Sequence, residues 1–137
     1  MFAVTREIHF CYGHRLLGHA GKCRYLHGHN GRAVVTVTSP ELDELGMVVD
    51  FGDLKQTIRQ WIDDHLDHKL LLSQDDPLVP VLKQHDEPIF VMDSNPTAEN
   101  IAKLIYDKAC EFGLDVVEVV LWETPNCCAS YRPKHNR

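Results

Sequence analysis

No apolar run in this 137-residue chain reaches the roughly 18 residues that a membrane-spanning helix needs. The first residues also lack a basic segment followed by an apolar one, so no secretory signal is visible and we expect a cytoplasmic protein. Five cysteines are an odd number, and Cys127 and Cys128 are adjacent, which disfavours a disulfide framework and fits a reducing compartment. Internal repeats and linkers are missing too, which predicts a single domain over residues 1–137.

Basic side chains are outnumbered by acidic ones, fourteen to twenty, and they are unevenly distributed. The net charge of −6 argues against a nucleic-acid partner. Five basic and one acidic side chains give residues 1–40 a net charge of +4, whereas nine basic and nineteen acidic ones give residues 41–137 a net charge of −10. A positive field in the first third of the chain suits an anionic small substrate such as a phosphate ester.

That basic third also contains a group of metal-ligating residue types. His27 and His29 are separated only by a glycine, and residues i and i+2 of an extended strand point to one face. These two histidines and a third ligand from a neighbouring turn would hold zinc and leave one coordination position open. His14 lies just upstream in the sequence. Cys23 would lie close to the metal without being needed as a ligand, which is the layout of a catalytic zinc site with a separate thiol.

Two other interpretations of the same residues stay open at this point. The first is a polar strand edge with incidental histidines. The second is a structural zinc site with Cys23, His27, His29 and one more ligand. Structural sites often pair cysteines as C-x2–4-C, and Cys11 and Cys23 are too far apart for that. A His-Glu-x-x-His pattern, which would indicate one class of zinc hydrolase, is absent.

Hydrophobic periodicity predicts an α+β fold. Strands are expected over residues 2–10, 32–38, 116–122 and 129–131, with a short extended piece at 47–51, helices over 54–66 and from Asn95-Pro96 to Gly113, and a long loop over 73–88. This order predicts a four-stranded antiparallel sheet with two helices on one face. Its two open edges would be hidden by oligomerisation.

Two further positions stand out at the ends of these elements. Asp67-His68 follows the first helix, and a carboxylate beside an imidazole can tune it for proton transfer, although a histidine also suits a helix C-terminus. Glu123 shares a strand face with Val119 and Leu121, where the pattern calls for an apolar residue. It is either exposed at the strand end or a buried anchor able to grip a guanidine-like edge by two parallel hydrogen bonds.

Six motifs follow one another over nearly the whole chain: His14-Arg15-Leu16, Cys23-x-x-x-His27-Gly28-His29, Val49-Asp50-Phe51-Gly52-Asp53-Leu54-Lys55, Leu66-Asp67-His68, Asn95-Pro96-Thr97-Ala98-Glu99-Asn100 and Glu123-Thr124-Pro125. In these motifs the sequence resembles the 6-pyruvoyl-tetrahydropterin synthase and 6-carboxy-tetrahydropterin synthase (queuosine biosynthesis) family. The resemblance implies a tunnelling fold (T-fold) whose subunits build trimeric barrels, commonly stacked as hexamers, with active sites between subunits.

The resemblance also implies roles for individual residues and a substrate, 7,8-dihydroneopterin triphosphate. The implied roles are zinc ligands at His14, His27 and His29, a proton-abstracting thiolate at Cys23, an acid/base relay at Asp67 and His68, pterin binding at Glu123, Thr97 and Glu99, and a basic neighbour of the thiolate at Arg24. Arg15, Lys22, Arg24 and Lys69 are candidates for holding the triphosphate. The G-x-G-x-x-G motif of nicotinamide and flavin sites is absent, and the implied reaction needs neither cofactor.

The three residues between Cys23 and His27 match the bacterial carboxy-tetrahydropterin enzymes of the family. The expected products are therefore 6-carboxy-5,6,7,8-tetrahydropterin, acetaldehyde and triphosphate, with 6-pyruvoyl-tetrahydropterin formation and a non-catalytic pterin-binding paralogue as alternatives. Two positions depart from the family's usual pattern. Gly31 stands where relatives often place an aromatic residue, and Tyr12-Gly13 stands where small residues such as Ala-Ala are common.

Overall fold

A computed structural model describes residues 1–134 of the chain. Its elements are, in order, β1 (Phe2–His14), a 3-10 turn (Lys22–Arg24), β2 (His27–Ser39), a first helix that runs through Phe51–Leu54, the π-helical Lys55–Arg59 and Gln60–His65, β3 (Lys69–Ser73), a second helix (Leu78–Gln84), β4 (Ile89–Met92), a third helix (Ala98–Glu111), β5 (Val116–Thr124) and β6 (Cys127–Tyr131). None of the helices in this range combines the length and apolar character that crossing a membrane requires.

The strands form one curled sheet in the order β4-β3-β1-β2-β5-β6. β3 runs parallel to β1 and to β4, whereas the β1–β2, β2–β5 and β5–β6 pairs are antiparallel. The predicted four-stranded antiparallel sheet is therefore wrong in strand number and in part of its pairing. β3 and β4 were missed because Leu-Leu-Leu and Ile-Phe-Val-Met are short continuous apolar runs, which periodicity alone does not assign to a strand.

The core lies between one face of this sheet and the two long helices. Ile8, Phe10 and Tyr12 alternate along β1, and in the β1–β2 register Ile8 pairs with Ala33. These side chains pack in one cluster with residues of both helices, which include the fully buried Ile58, Ile62, Ile101 and Ile105. The α+β class is confirmed, and the two predicted helices lie on one face of the sheet. The expected number of two helices is wrong, because a further helix spans Leu78–Gln84.

The helix starts differ from the sequence-based expectations. Asp50 caps the first helix, because its Oδ1 accepts from the Gly52 N–H at 2.7 Å, so the expected extended piece at 47–51 runs into a helix. Thr97, and not Asn95, caps the third helix. The expected loop over 73–88 contains the second helix, which tolerates Pro80 because N–H groups of a first turn have no helical acceptor.

Candidate metal centre and active site

The antiparallel pairing of β1 with β2 brings the three candidate histidines together. His14 lies opposite His27, and His29 lies opposite Tyr12, so all three imidazoles share the helix-covered face. One ring nitrogen of each histidine lies within 4.8 Å of those of the other two. The third histidine thus comes from the end of the neighbouring strand, and not from a turn.

Hydrogen bonds at the far side of two rings prepare this cluster for a metal. His14 Nδ1 donates to the Pro96 carbonyl and His27 Nδ1 to the Tyr25 carbonyl, both at 2.7 Å. A ring whose Nδ1 donates presents a lone pair at Nε2, and His14 Nε2 lies 3.2 Å from His29 Nε2. Burial, the largest cause, lowers the pKa of His14 and so favours its neutral form.

These observations fit a metal site better than an incidental group of histidines. Three imidazole nitrogens form one of the ligand sets of catalytic zinc, and backbone carbonyls are usual partners of the opposite ring nitrogen. Within residues 1–134 the cluster that could hold a metal consists of His14, His27 and His29, without Cys23. The structural-zinc interpretation with Cys23 as a ligand is therefore not favoured by the geometry.

Glu123 and Tyr12 lie beside the cluster. Glu123 Oε1 is 3.9 Å from His14 Nε2, and its side chain is 25% exposed, so this carboxylate lies half-buried next to the candidate metal site. Burial and, after it, the charge of Glu123 raise the pKa of Tyr12, so the phenol stays protonated. The apolar face that Glu123 interrupts thus ends in polar side chains beside the histidines.

Asp67 and His68 form a hydrogen-bonded pair that the main chain of β1 holds in place. His68 Nδ1 donates to Asp67 Oδ2 at 2.7 Å. Asp67 Oδ1 accepts from the Cys11 N–H at 2.9 Å, and the His68 N–H donates to the Cys11 carbonyl at 2.7 Å. These bonds hold His68 at φ 60°, a left-handed conformation that a non-glycine residue adopts only when its surroundings fix it.

The pair does not join the histidine cluster within one chain. His68 and Cys11 line a cavity of about 680 Å³ together with Asn30, and the His68 side chain is 78% exposed. Cys11 and Asn30 point away from the helix-covered face, because side chains alternate along each strand. His27 and His29 border this cavity as well, but in the described range no hydrogen bond links Asp67 or His68 to the three histidines.

Cys23 and Arg24 lie in the 3-10 turn that follows β1. The Cys23 carbonyl accepts from the Leu16 N–H at 2.8 Å, and the Cys23 side chain is partly exposed. Arg24 donates to the Ala20 carbonyl at 3.2 Å and to the Tyr25 hydroxyl at 2.7 Å. The guanidinium of Arg24 is thus engaged inside its own turn.

Thr97 and Glu99 lie at the start of the third helix. The Thr97 hydroxyl oxygen accepts from the Asn100 N–H at 3.1 Å, which leaves its proton free to donate. Thr97 directly follows Pro96, whose carbonyl accepts a hydrogen bond from His14 Nδ1, so the main chain before Thr97 lies beside the cluster. Glu99 is exposed in the first helical turn and makes no ion pair in the part of the chain that the structure describes.

Two sets of side-chain hydrogen bonds that the sequence analysis did not predict hold the loop between β1 and β2 in place. The Asn95 side chain accepts from the Leu17 N–H at 3.0 Å and donates to the Leu17 carbonyl at 2.9 Å. Arg15 Nε donates to Asp76 Oδ2 at 2.8 Å, and the Asp76 carboxylate is fully buried. Arg15, a candidate for the triphosphate, is thus engaged by an ion pair with a residue far along the chain.

Comparison with known proteins places this site in a family. The sequence model described as 6-pyruvoyl tetrahydropterin synthase matches residues 3–134. The chain belongs to the 6-pyruvoyl tetrahydropterin synthase family. This confirms the resemblance inferred from the six motifs.

Several relatives within the 6-pyruvoyl tetrahydropterin synthase family are similar over nearly their whole length. A Rickettsia bellii protein named 6-carboxy-5,6,7,8-tetrahydropterin synthase is 42% identical over 93% of this chain and 97% of its own length. A Haemophilus influenzae protein of the same name is 33% identical over 96% and 99%. The structure of Caenorhabditis elegans 6-pyruvoyl tetrahydropterin synthase matches 97% of this chain and 96% of its own with a TM-score of 0.73 at 25% identity. An uncharacterized Wolinella succinogenes protein matches 97% and 98% with a TM-score of 0.80 at 27% identity.

Proposed function

We propose that this chain is a zinc-dependent 6-carboxy-5,6,7,8-tetrahydropterin synthase that converts 7,8-dihydroneopterin triphosphate to 6-carboxy-5,6,7,8-tetrahydropterin, acetaldehyde and triphosphate. The observation that carries the proposal is the cluster of three histidines, in which the Nδ1 atoms of His14 and His27 bind carbonyls and the Nε2 atom of His14 lies 3.2 Å from that of His29. The names of the relatives at 33–42% identity support the same reaction. The proposal places the protein in queuosine biosynthesis and in the cytoplasm.

In this proposal His14, His27 and His29 hold the zinc ion. When bound there, zinc acts as a Lewis acid toward the substrate side chain and makes its adjacent C–H protons easier to remove. Cys23 abstracts such a proton as a thiolate. The hydrogen bond from the Leu16 N–H to the Cys23 carbonyl holds this turn against the residues that follow β1. The neighbouring Arg15 is held in turn by its ion pair with Asp76.

His68 is the second acid/base group. Because Asp67 accepts from His68 Nδ1, the other ring nitrogen, Nε2, is the one available for proton transfer. The pair has a highly exposed imidazole and lies on the sheet face opposite the histidine cluster, at a cavity that His27 and His29 only border, so we propose that it serves the histidine cluster of a neighbouring subunit. A homotrimer or a homohexamer with active sites between subunits would bring the two halves together.

Glu123 binds the pterin ring in this scheme. A carboxylate can accept two parallel hydrogen bonds from a guanidine-like edge, and Glu123 lies half-buried beside His14. Thr97 has a free hydroxyl proton next to the same cluster, and Glu99 lies at the exposed start of the helix. Arg24, Lys22 and Lys69 remain the candidates for the triphosphate.

Formation of 6-pyruvoyl-tetrahydropterin from the same substrate is the second candidate function. The likeness in fold to the Caenorhabditis elegans enzyme of that name favours it. The short interval between Cys23 and His27 favours the carboxy product. A pterin-binding paralogue without activity has less support, because a binder needs neither Cys23 nor an Asp67–His68 pair.

Product analysis tests the proposal. Zinc-loaded protein would be incubated with 7,8-dihydroneopterin triphosphate and the products identified by mass spectrometry. Carboxy-tetrahydropterin and acetaldehyde are expected, and their loss in Cys23→Ala but not in Cys110→Ala, an exposed thiol on the third helix, would support the thiol's role. A pyruvoyl product would favour the second candidate. No product from folded, zinc-bound protein would contradict both.

A further inference from the structure

Tyr12 is a buried polar side chain that the proposed mechanism does not use. It is 3% exposed, its ring centroid lies 5.2 Å from that of Phe10, and its hydroxyl makes no regular hydrogen bond within residues 1–134. The ring also meets two of the candidate metal ligands, with centroids 5.2 Å from His14 and 5.6 Å from His29. Because buried donors are nearly always paired in proteins, this hydroxyl indicates a partner that the site acquires.

A carboxylate, that of Glu123, lies on the same side of the sheet as the Tyr12 ring. The pairing of Arg32 with Trp122 places Glu123 next to Gly31, the residue against which the Tyr12 ring packs. Glu123 also lies 3.9 Å from Nε2 of His14, whose ring Tyr12 meets edge-on, and its side chain is 25% exposed. Because a phenol O–H donates well to a carboxylate, Glu123 is the candidate acceptor for the unpaired Tyr12 hydroxyl.

Gly31 makes room for the Tyr12 ring. A Cβ at Gly31 would lie 2.8 Å from Tyr12 Cε1 and 3.4 Å from Phe10 Cε1, so any side chain there would push the ring. Gly31 and Tyr12 lie on the same face of neighbouring strands, two residues apart in register, because Gly31 pairs with Phe10 and Tyr12 with His29. The missing side chain on β2 thus determines where the phenol on β1 is held.

We propose that Tyr12 is a positioning residue for pterin recognition, whose phenol donates a hydrogen bond to one oxygen of Glu123 and so turns the other oxygen toward the N–H groups of the bound ring. This inference rests on the proposed function, in which Glu123 holds the pterin. It assigns to Tyr12 the orientation of a carboxylate and no part in bond breaking. Its substitution should therefore affect substrate affinity more than turnover.

Tyr12→Phe removes the hydroxyl and keeps the ring. Hydrogen bonds to charged groups support an expected rise in KM of about 10-fold or more, with kcat within about 3-fold of wild type and zinc content unchanged. Gly31→Ala keeps the hydroxyl but displaces it, so its KM should rise in the same direction. Tyr106→Phe is the matched control, because this residue of the third helix packs against Tyr131 outside the site.

A double-mutant comparison of Tyr12 and Glu123 distinguishes a positioning role of the Tyr12 hydroxyl from a role in packing alone. If the phenol acts through the carboxylate, Tyr12→Phe should have little further effect on pterin affinity in a Glu123→Gln background. Unchanged KM in Tyr12→Phe, or equal effects with and without Glu123→Gln, would overturn the inference while leaving the proposed function intact.

The experiment also decides the inference if the proposed reaction fails. Should the wild type form no product, the proposed function fails, and calorimetric titration with dihydroneopterin decides the inference instead. About 10-fold weaker binding by Tyr12→Phe would support it. Equal binding, or no binding by wild-type protein, would overturn it.

Discussion

The buried ion pair between Arg15 and Asp76 gives the sharpest stability prediction. The Asp76 carboxylate is fully buried and the Arg15 side chain is 21% exposed. Asp76 also accepts from the Leu78 N–H at 2.8 Å. Removing one partner of a buried pair costs about 3–5 kcal/mol, and an asparagine oxygen retains one acceptor, so Asp76→Asn should lower the free energy of unfolding by about 2–3 kcal/mol.

The pH dependence of this loss checks its cause. The hydrogen bonds from Arg15, the largest cause, hold the pKa of Asp76 below its usual value. A lowered folded-state pKa adds stability above the unfolded-state pKa, about 3.9, and that stability is lost as pH falls through the folded-state pKa. The difference between wild type and Asp76→Asn should therefore be constant from about pH 5 to pH 8 and shrink below about pH 4.

Urea unfolding followed by circular dichroism measures both effects. The control is Asp107→Asn, because Asp107 pairs with Lys103 at 2.7 Å on the surface, where both side chains are about half exposed. This substitution should change the free energy of unfolding by less than about 1 kcal/mol. A loss in Asp76→Asn as small as in the control, or one that persists undiminished at pH 3, would refute the reasoning.

Three further predictions concern the site. His27→Ala should abolish stoichiometric zinc binding in elemental analysis, whereas the control His65→Ala, on the first helix, should keep it. Zinc retained by His27→Ala would contradict the proposed ligand set. Asp67→Asn should lower kcat about 10- to 100-fold with an unchanged melting temperature. Asp67 accepts from both the Cys11 N–H and His68 Nδ1, and asparagine has only one acceptor oxygen, so keeping the bond to the main chain turns an amide N–H toward His68. Mixing refolded Cys23→Ala and His68→Ala subunits should restore about a quarter of wild-type activity if sites lie between subunits, and none if each chain is self-sufficient.

The grouping of the three histidines in the candidate site could be predicted from the sequence because they lie close together along the chain. His27 and His29 lie on β2, and His14 is the last residue of β1, the strand that pairs with β2. The groups that orient these histidines are remote in sequence. No sequence pattern predicts that the Pro96 carbonyl accepts from His14, which lies 82 positions earlier. Long-range hydrogen bonds of this kind depend on the sheet order, which the sequence left open.

The fold was predictable where periodicity is clear and not where strands are short. β1, β2 and β5 have alternating or β-branched residues, and the two long helices have a regular apolar stripe. β3 and β4 have four or five residues without alternation, and they pair in parallel with strands distant along the chain. Only the tertiary packing of β3 beside β1, and of β4 beside β3, distinguishes these runs from loop or helix.

The central claim is that zinc binds three imidazoles and no thiolate, so that Cys23 stays free to act on the substrate. X-ray absorption at the zinc edge of the loaded protein tests this directly. The account predicts only nitrogen and oxygen neighbours at about 2.0–2.1 Å, and the same spectrum in Cys23→Ala. A sulfur neighbour at about 2.3 Å that disappears in Cys23→Ala would contradict it and identify a structural site.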